Sequence, residues 1–239
     1  KRALILDTGH PDLCGFEALD GVQKTLRIPW SNIEVFLSHF HDDHDGNLLY
    51  CVQKGASKLY SGPTQIDSRT LIDNFLVLSS SVDLKSDSAS SFIRLVAAGK
   101  KAQTCTQGSR IELHGGETLS IAGYHFDVLL TPGHTSNHLC LLDKSKKIFF
   151  AGDHICDAPP GCMQYAINDH LVARYLESLA QLKELNLQAV YMCHHNPLRG
   201  SFEINRFISL IEGRYETLVI RARKLFADHE ELTVREAVI

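Results

Sequence analysis

His39-Phe40-His41-Asp42-Asp43-His44 sets four side chains able to hold a metal, His39, His41, Asp43 and His44, within six residues. The run follows Ile33-Glu34-Val35-Phe36-Leu37-Ser38, which reads as a buried strand. If the extended backbone persists through His41, His39 and His41 project to the same side and can share one cation, because successive side chains alternate faces. Asp43 and His44 fall where the pattern changes to apolar residues at helical spacing from Asp45 to Val52, with Asp42 or Asp43 as the expected N-cap. That change of direction turns the second pair toward a neighbouring position. Imidazole nitrogen and carboxylate oxygen suit zinc, whose catalytic sites keep one coordination position open for water. A surface loop or a closed structural zinc site would be the plainer explanation, but structural sites favour Cys and none lies inside the run.

A short ligand run rarely closes a metal site alone, so further ligands are expected at the ends of other strands. Tyr124 to Leu130 reads as a strand running into the turn Thr131-Pro132-Gly133-His134-Thr135. Lys147-Ile148-Phe149-Phe150-Ala151 ends in Gly152-Asp153-His154, and Leu187 to Met192 ends in Cys193-His194-His195-Asn196-Pro197. Each candidate follows a strand, as the first cluster does.

With these motifs in order, the chain resembles the metallo-β-lactamase-fold superfamily of metallohydrolases. Counterparts of its five motifs are Asp7 in Asp7-Thr8-Gly9, the His39 to His44 run, His134, Asp153 and His195. The resemblance implies that His39, His41 and His134 bind a first metal, that Asp43, His44 and His195 bind a second, and that Asp153 bridges the two. It also makes Asp7 the carboxylate that steadies the ligand loop from behind. At the last motif, aligning Asn196 with the family's Gly-His-Asn favours His195, with His194 as the alternative. Two zinc ions are implied, with iron or manganese as alternatives. A hydroxide held between two such cations titrates near ~7 rather than ~16, which supplies a nucleophile at neutral pH. Asp43 is the candidate for moving the proton. His138 and His154, beside ligands, read as packing or supporting residues; Cys193 reads as a free thiol, with metal contact or redox sensing as the alternative.

The fold implied is α/β, a four-layer αββα sandwich with a helical insertion and a helical C-terminal extension. Expected strands lie near 2–7, 33–38, 58–60, 109–113, 118–121, 124–130, 138–142, 147–151 and 187–192, and helices near 169–185 and 203–225. The expected catalytic domain is 1–200 and the extension 201–239, with both ends read as cut inside an element. Residues 63–98 carry two helix-like stretches, read either as a lid over the metal cleft or as a pair packed on the sheet flank.

A net charge of −4 with interspersed signs gives no basic block to announce nucleic-acid binding. No apolar run is long enough for a transmembrane helix, and no membrane partner is expected. Seven scattered cysteines without Cys-x-x-Cys spacing suit a reducing cytoplasm. The expected activity is hydrolysis of an ester, thioester, lactone or phosphodiester, on a small-molecule or acyl-carrier substrate. The tail resembles the branch holding glyoxalase II, the lactamase-β-like-2 ribonuclease and fungal acyl-carrier thioesterases, so metal-dependent RNA cleavage is one alternative. An iron-dependent, persulfide dioxygenase-like oxidoreductase is the other. The resemblance argues against a true antibiotic β-lactamase, because that branch lacks the bridging Asp, and against the flavodiiron branch, which carries Glu at the position of His41.

Overall fold

Alternation along the central strands decides how the layers stack. In the computed structural model, residues 1–12, 15–63, 110–156 and 171–228 are described; the expected 63–98 insertion, beyond residue 63, and the last eleven residues lie outside them. Strand β2 (Ile33–Phe36) is buried on both faces. Phe36 points into one apolar cluster, while Val35 and Leu37 point into another. The same split recurs in β3 (Lys58–Ser61), where Tyr60 joins the first cluster and Leu59 the second. This is the period-two signature of a sheet covered on both sides.

That first sheet is wholly parallel, with β1 (Ala3–Leu6), β2, β3 and β4 (Arg110–Glu112) in that order. Its outer face is covered by α1 (Gly15–Leu26) and α3 (Leu48–Gln53), through Leu19, Leu48 and Cys51. The second sheet has six strands. Its order is β10 (Leu198–Arg199), β9 (Ala189–Tyr191), β8 (Ile148–Phe150), β7 (Leu139–Asp143), β6 (Tyr124–Leu130) and β5 (Thr118–Ile121). Only β8 and β9 pair in parallel. Leu139 and Leu141 of β7 face the first sheet and pack with Phe36 and Tyr60, whereas Cys140 and Leu142 face outward.

The outer layer on that side is α4 (Leu171–Glu184) and α5 (Ser201–Asp228). Leu171, Tyr175, Ser178, Leu179 and Leu182 recur at helical spacing and are the buried face of α4. Ile204, Ile208, Ile211 and Tyr215 do the same for α5 and belong to the same cluster as Phe149 and Val190. Each such side chain removed from water contributes up to about 1.5–3 kcal/mol, so the first half of α5 is part of the core. Lys183 of α4 pairs with Glu212 of α5 at 2.7 Å. Helix, sheet, sheet and helix make the expected αββα sandwich.

Three details differ from the sequence reading. Helix α1 was not anticipated, nor was the two-residue β10. The expected helix after His44 is split into α2 (Asp42–Asp45) and α3, and the N-cap of α2 is His41, without a side-chain cap bond; Asp42 and Asp43 lie in its first turn. There, acidic side chains favour the helix dipole without capping.

Strand direction explains why one edge carries the chemistry. β1 and β2 run parallel, and two antiparallel pairings return β6 to the direction of β8 and β9. Within each sheet, the carboxyl ends of these strands therefore lie on one side. The loops that leave them begin at Asp7, Leu37, Thr131, Ala151 and Met192. A bond from Leu139 N to Ser38 O, 2.9 Å, ties the sheets together at that edge.

Candidate metal centre

Three rings from two loops converge first. His39 Nε2 lies 2.8 Å from His41 Nδ1, and His134 Nε2 lies 3.0 Å from the same atom. The tautomer of His39 follows from its other nitrogen. Ser38 Oγ donates to Asp7 Oδ2 at 2.8 Å, so it accepts from His39 Nδ1–H at 2.9 Å, and a neutral His39 presents the lone pair of Nε2 to the cluster. Burial disfavours the protonated form of His39 and His41. It is the main cause that lowers His39, with His44 and His41 adding to it, and it brings His41 down to about 4 with His134 and His44.

A second group stands beside the first. His194 Nε2 is 3.2 Å from both Asp43 Oδ2 and Asp153 Oδ2. His44 Nε2 is 3.3 Å from Asp153 Oδ2 and 3.6 Å from Asp43 Oδ2, while its Nδ1 bonds Asp7 Oδ2 at 2.9 Å. Asp153 Oδ2 also lies 3.6 Å from His134 Nε2 of the first group. One carboxylate is therefore shared. Burial opposes a charged His44, but Asp153, Asp7 and the Cys193 thiol outweigh it and raise the ring well above its ordinary range. Burial likewise pushes Asp153 upward, and His44, His134 and His194 more than reverse this.

These atoms fit cations. Among the described residues, the ligand-type atoms within 4.8 Å of one another include the sets His39, His41, His134 and Asp43, His44, Asp153, His194. His44 Nε2 and Asp153 Oδ1 are buried and have no hydrogen-bond partner. Leaving such atoms unmatched costs roughly 1–3 kcal/mol each, more if charged, and a cation between them removes the cost. Nitrogen and carboxylate donors together suit a divalent metal.

Six of the seven ligands expected from sequence, His39, His41, Asp43, His44, His134 and Asp153, meet in these two groups. The expectation for His195 gives way to its neighbour. His194 occupies that corner, while His195 Nε2 lies 3.9 Å from Cys156 Sγ. A backbone bond from Cys193 N to Gly152 O, 3.2 Å, holds this strand end beside the Asp153 loop. Asp7 stands behind the centre as expected. Its Oδ1 accepts from Ser38 N at 2.7 Å, and its Oδ2 from Ser38 Oγ, His44 and Cys193 Sγ, the last at 3.4 Å. Burial pushes the Cys193 thiol up to about 11, so it stands as a donor to Asp7. His154 packs beneath α4, with Nε2 on Ser178 Oγ at 2.9 Å.

Two supporting residues gave no spacing signal. Thr8 Oγ1 donates to His44 O at 2.8 Å, and Asn47 Nδ2 donates to Thr8 O at 2.9 Å and Gly9 O at 3.0 Å. They clamp the Asp7 loop onto α2.

Comparison with known proteins agrees with this geometry. The model of the Metallo-beta-lactamase superfamily matches residues 1–194, and the chain belongs to that superfamily. Among solved structures, it is similar to a beta-lactamase domain protein from Burkholderia ambifaria, with a TM-score of 0.72 at 17% identity over 98% of this chain and 71% of that one. It is similar to a metallo-beta-lactamase family protein from Thermus thermophilus, with a TM-score of 0.68 at 18% identity over 93% of this chain and 72% of that one. It also resembles rubredoxin oxygen:oxidoreductase from Desulfovibrio gigas, with a TM-score of 0.61 at 14% identity over 89% of this chain and 51% of that one. At these identities the likeness is one of fold.

Proposed function

We propose that this protein is a metal-dependent hydrolase of an ester, thioester, lactone or phosphodiester. In this reading His39, His41 and His134 hold one divalent cation, Asp43, His44 and His194 hold a second, and Asp153 is shared. The observation that carries it is the Asp153 carboxylate, within 3.6 Å of rings from both groups while its other oxygen is buried and unmatched. Zinc suits the donor set, with iron and manganese as alternatives. When bound, such a pair activates water at neutral pH and polarises the oxygen of a scissile carbonyl or phosphoryl group.

The chain's own residues prepare the rest. Asp7 and Ser38 fix the ring of His39 and, through Asp7 Oδ2, that of His44, so the ligand atoms are oriented in advance. Asp43 is about one-third exposed and lies between His44 and His194. That places it where a proton can pass between the site and solvent, and we assign it the proton transfer. A small molecule or an acyl-carrier arm is the expected substrate.

The test is metal analysis coupled to a panel of thioester, lactone and bis-p-nitrophenyl phosphate substrates. About two cations per chain with turnover on one of the panel is expected. The second reading is an iron-dependent, persulfide dioxygenase-like oxidoreductase, since an oxidoreductase from Desulfovibrio gigas shares the fold. One iron per chain, no hydrolysis and sulfur-dependent oxygen uptake would overturn the hydrolase in its favour.

A further inference from the structure

His138 follows His134 by one turn of chain and is fully buried, yet it belongs to neither ligand group. Its ring meets three of the loops that carry ligands. Nε2 accepts the backbone N–H of Asp153 at 3.3 Å, Nδ1 lies 3.1 Å from Thr131 Oγ1, and the ring packs beside His39 with centroids 5.1 Å apart. A backbone amide can only donate. Nε2 must therefore present its lone pair, and in the neutral ring the hydrogen sits on Nδ1 and is given to Thr131. Gly152 serves the same contact. Its φ is +49°, and a Cβ there would stand 2.9 Å from His138 Nε2 and 2.7 Å from Ser38 Cβ, so only glycine lets the Asp153 loop come this close.

We propose that His138 is a positioning residue of the metal centre, which sets the shared carboxylate by accepting the Asp153 N–H while Thr131 holds the ring to the His134 loop. The role rests on the two-cation reading above. It is specific to one atom: an acceptor is needed at the position of Nε2. Glutamine can place its Oε1 there, asparagine reaches only as far as Nδ1, and leucine offers nothing.

The proposal is tested with the His138→Gln, His138→Asn and His138→Leu variants, titrated with zinc against a competing chelator. Loss of a ligand-supporting bond weakens metal affinity by roughly 10–100-fold, and that loss is expected for His138→Asn and His138→Leu. His138→Gln is expected within about threefold of the wild type, since its acceptor is retained. Should His138→Leu fail to fold, the contrast of Gln with Asn decides.

Two readouts need no metal. Long-range ¹⁵N–¹H correlation should place the His138 hydrogen on Nδ1, and the Asp153 amide should exchange about tenfold faster or more in His138→Asn than in His138→Gln. A hydrogen on Nε2, or wild-type zinc affinity in His138→Asn, would overturn the proposal. Failure of the wild type to bind any cation would instead overturn the functional reading, with the tautomer and the amide exchange still deciding whether His138 holds Asp153.

Discussion

The two ligand groups share an edge of the molecule but differ in chemistry. His39, His41 and His134 form a set of imidazoles in which the His39 and His134 rings are buried, whereas the second group mixes two carboxylates with two rings and includes the exposed His194. Asp153 belongs to both neighbourhoods. Burial disfavours protonated rings at His39 and His41, while Asp153 and Asp7 favour a charged His44 against its burial. The contrast teaches that one site can set a donor group deep in the fold and another at its mouth. His194, at 47% exposure, and Asp43, at 35%, mark the solvent-facing side of the site.

The largest effect should come from the group the two halves share. Asp153→Ala is expected to lower metal content toward one cation per chain or less and activity by about 10³-fold or more, several kcal/mol of barrier. Full retention of one intact site with most of the activity would break the picture of a shared carboxylate. Next, His194→Ala should cost the outer cation alone, leaving about one metal per chain, whereas His195→Ala should keep both and remain within about threefold of wild-type turnover. The reverse pattern would restore His195 as the ligand.

Asp7→Asn separates the groups more gently. Asp7 has φ +55°, a conformation Asn tolerates as well, so the change removes charge and acceptor capacity with little backbone cost. Outer-group affinity should fall by about 10–100-fold, because His44 bonds Asp7 directly. Inner-group affinity should fall less, because His39 reaches Asp7 only through Ser38. Equal losses in a two-site titration would contradict that order.

The smallest effect serves as a control outside both groups. Glu117, in the turn before β5, accepts from His114 N at 2.7 Å and Gly115 N at 2.9 Å. Burial acts against the charge, but these backbone bonds win and hold the carboxyl below its ordinary range. A carboxylate depressed in the folded state stabilises above its unfolded pKa of about 4.3 and loses that contribution as pH falls through the folded value. Partly exposed and screened, it contributes at most about 1 kcal/mol, so Glu117→Gln should lower thermal stability slightly at pH 7 and not at all in strong acid. Metal content should not change.

Much of this centre could be read before any fold was known. The His39 to His44 run declares itself because ligand types are packed at strand and helix spacing, and His134 and Asp153 because each ends an apolar run. The strands and α4 were legible as apolar runs and helical spacing, which are local patterns, whereas the layer order came only with the family resemblance. Helix α1 escaped although its apolar stripe is no weaker than that of α4, and three of its apolar residues, Phe16, Val22 and Leu26, face solvent.

By itself, the sequence determined which residue types stand at strand ends and what chemistry they can share. Tertiary structure alone decided which neighbour of a pair faces the centre. His194 and His195 are adjacent in a bend beyond β9, so local motif matching cannot choose between them. The Cys193 to Gly152 bond, between residues far apart in the chain, brings this bend to the Asp153 loop. The same holds for Thr8 and Asn47, and for the partners that Asp7 and His138 hold on other loops. Such bonds depend on distance and direction across the fold, and no spacing along the chain records either.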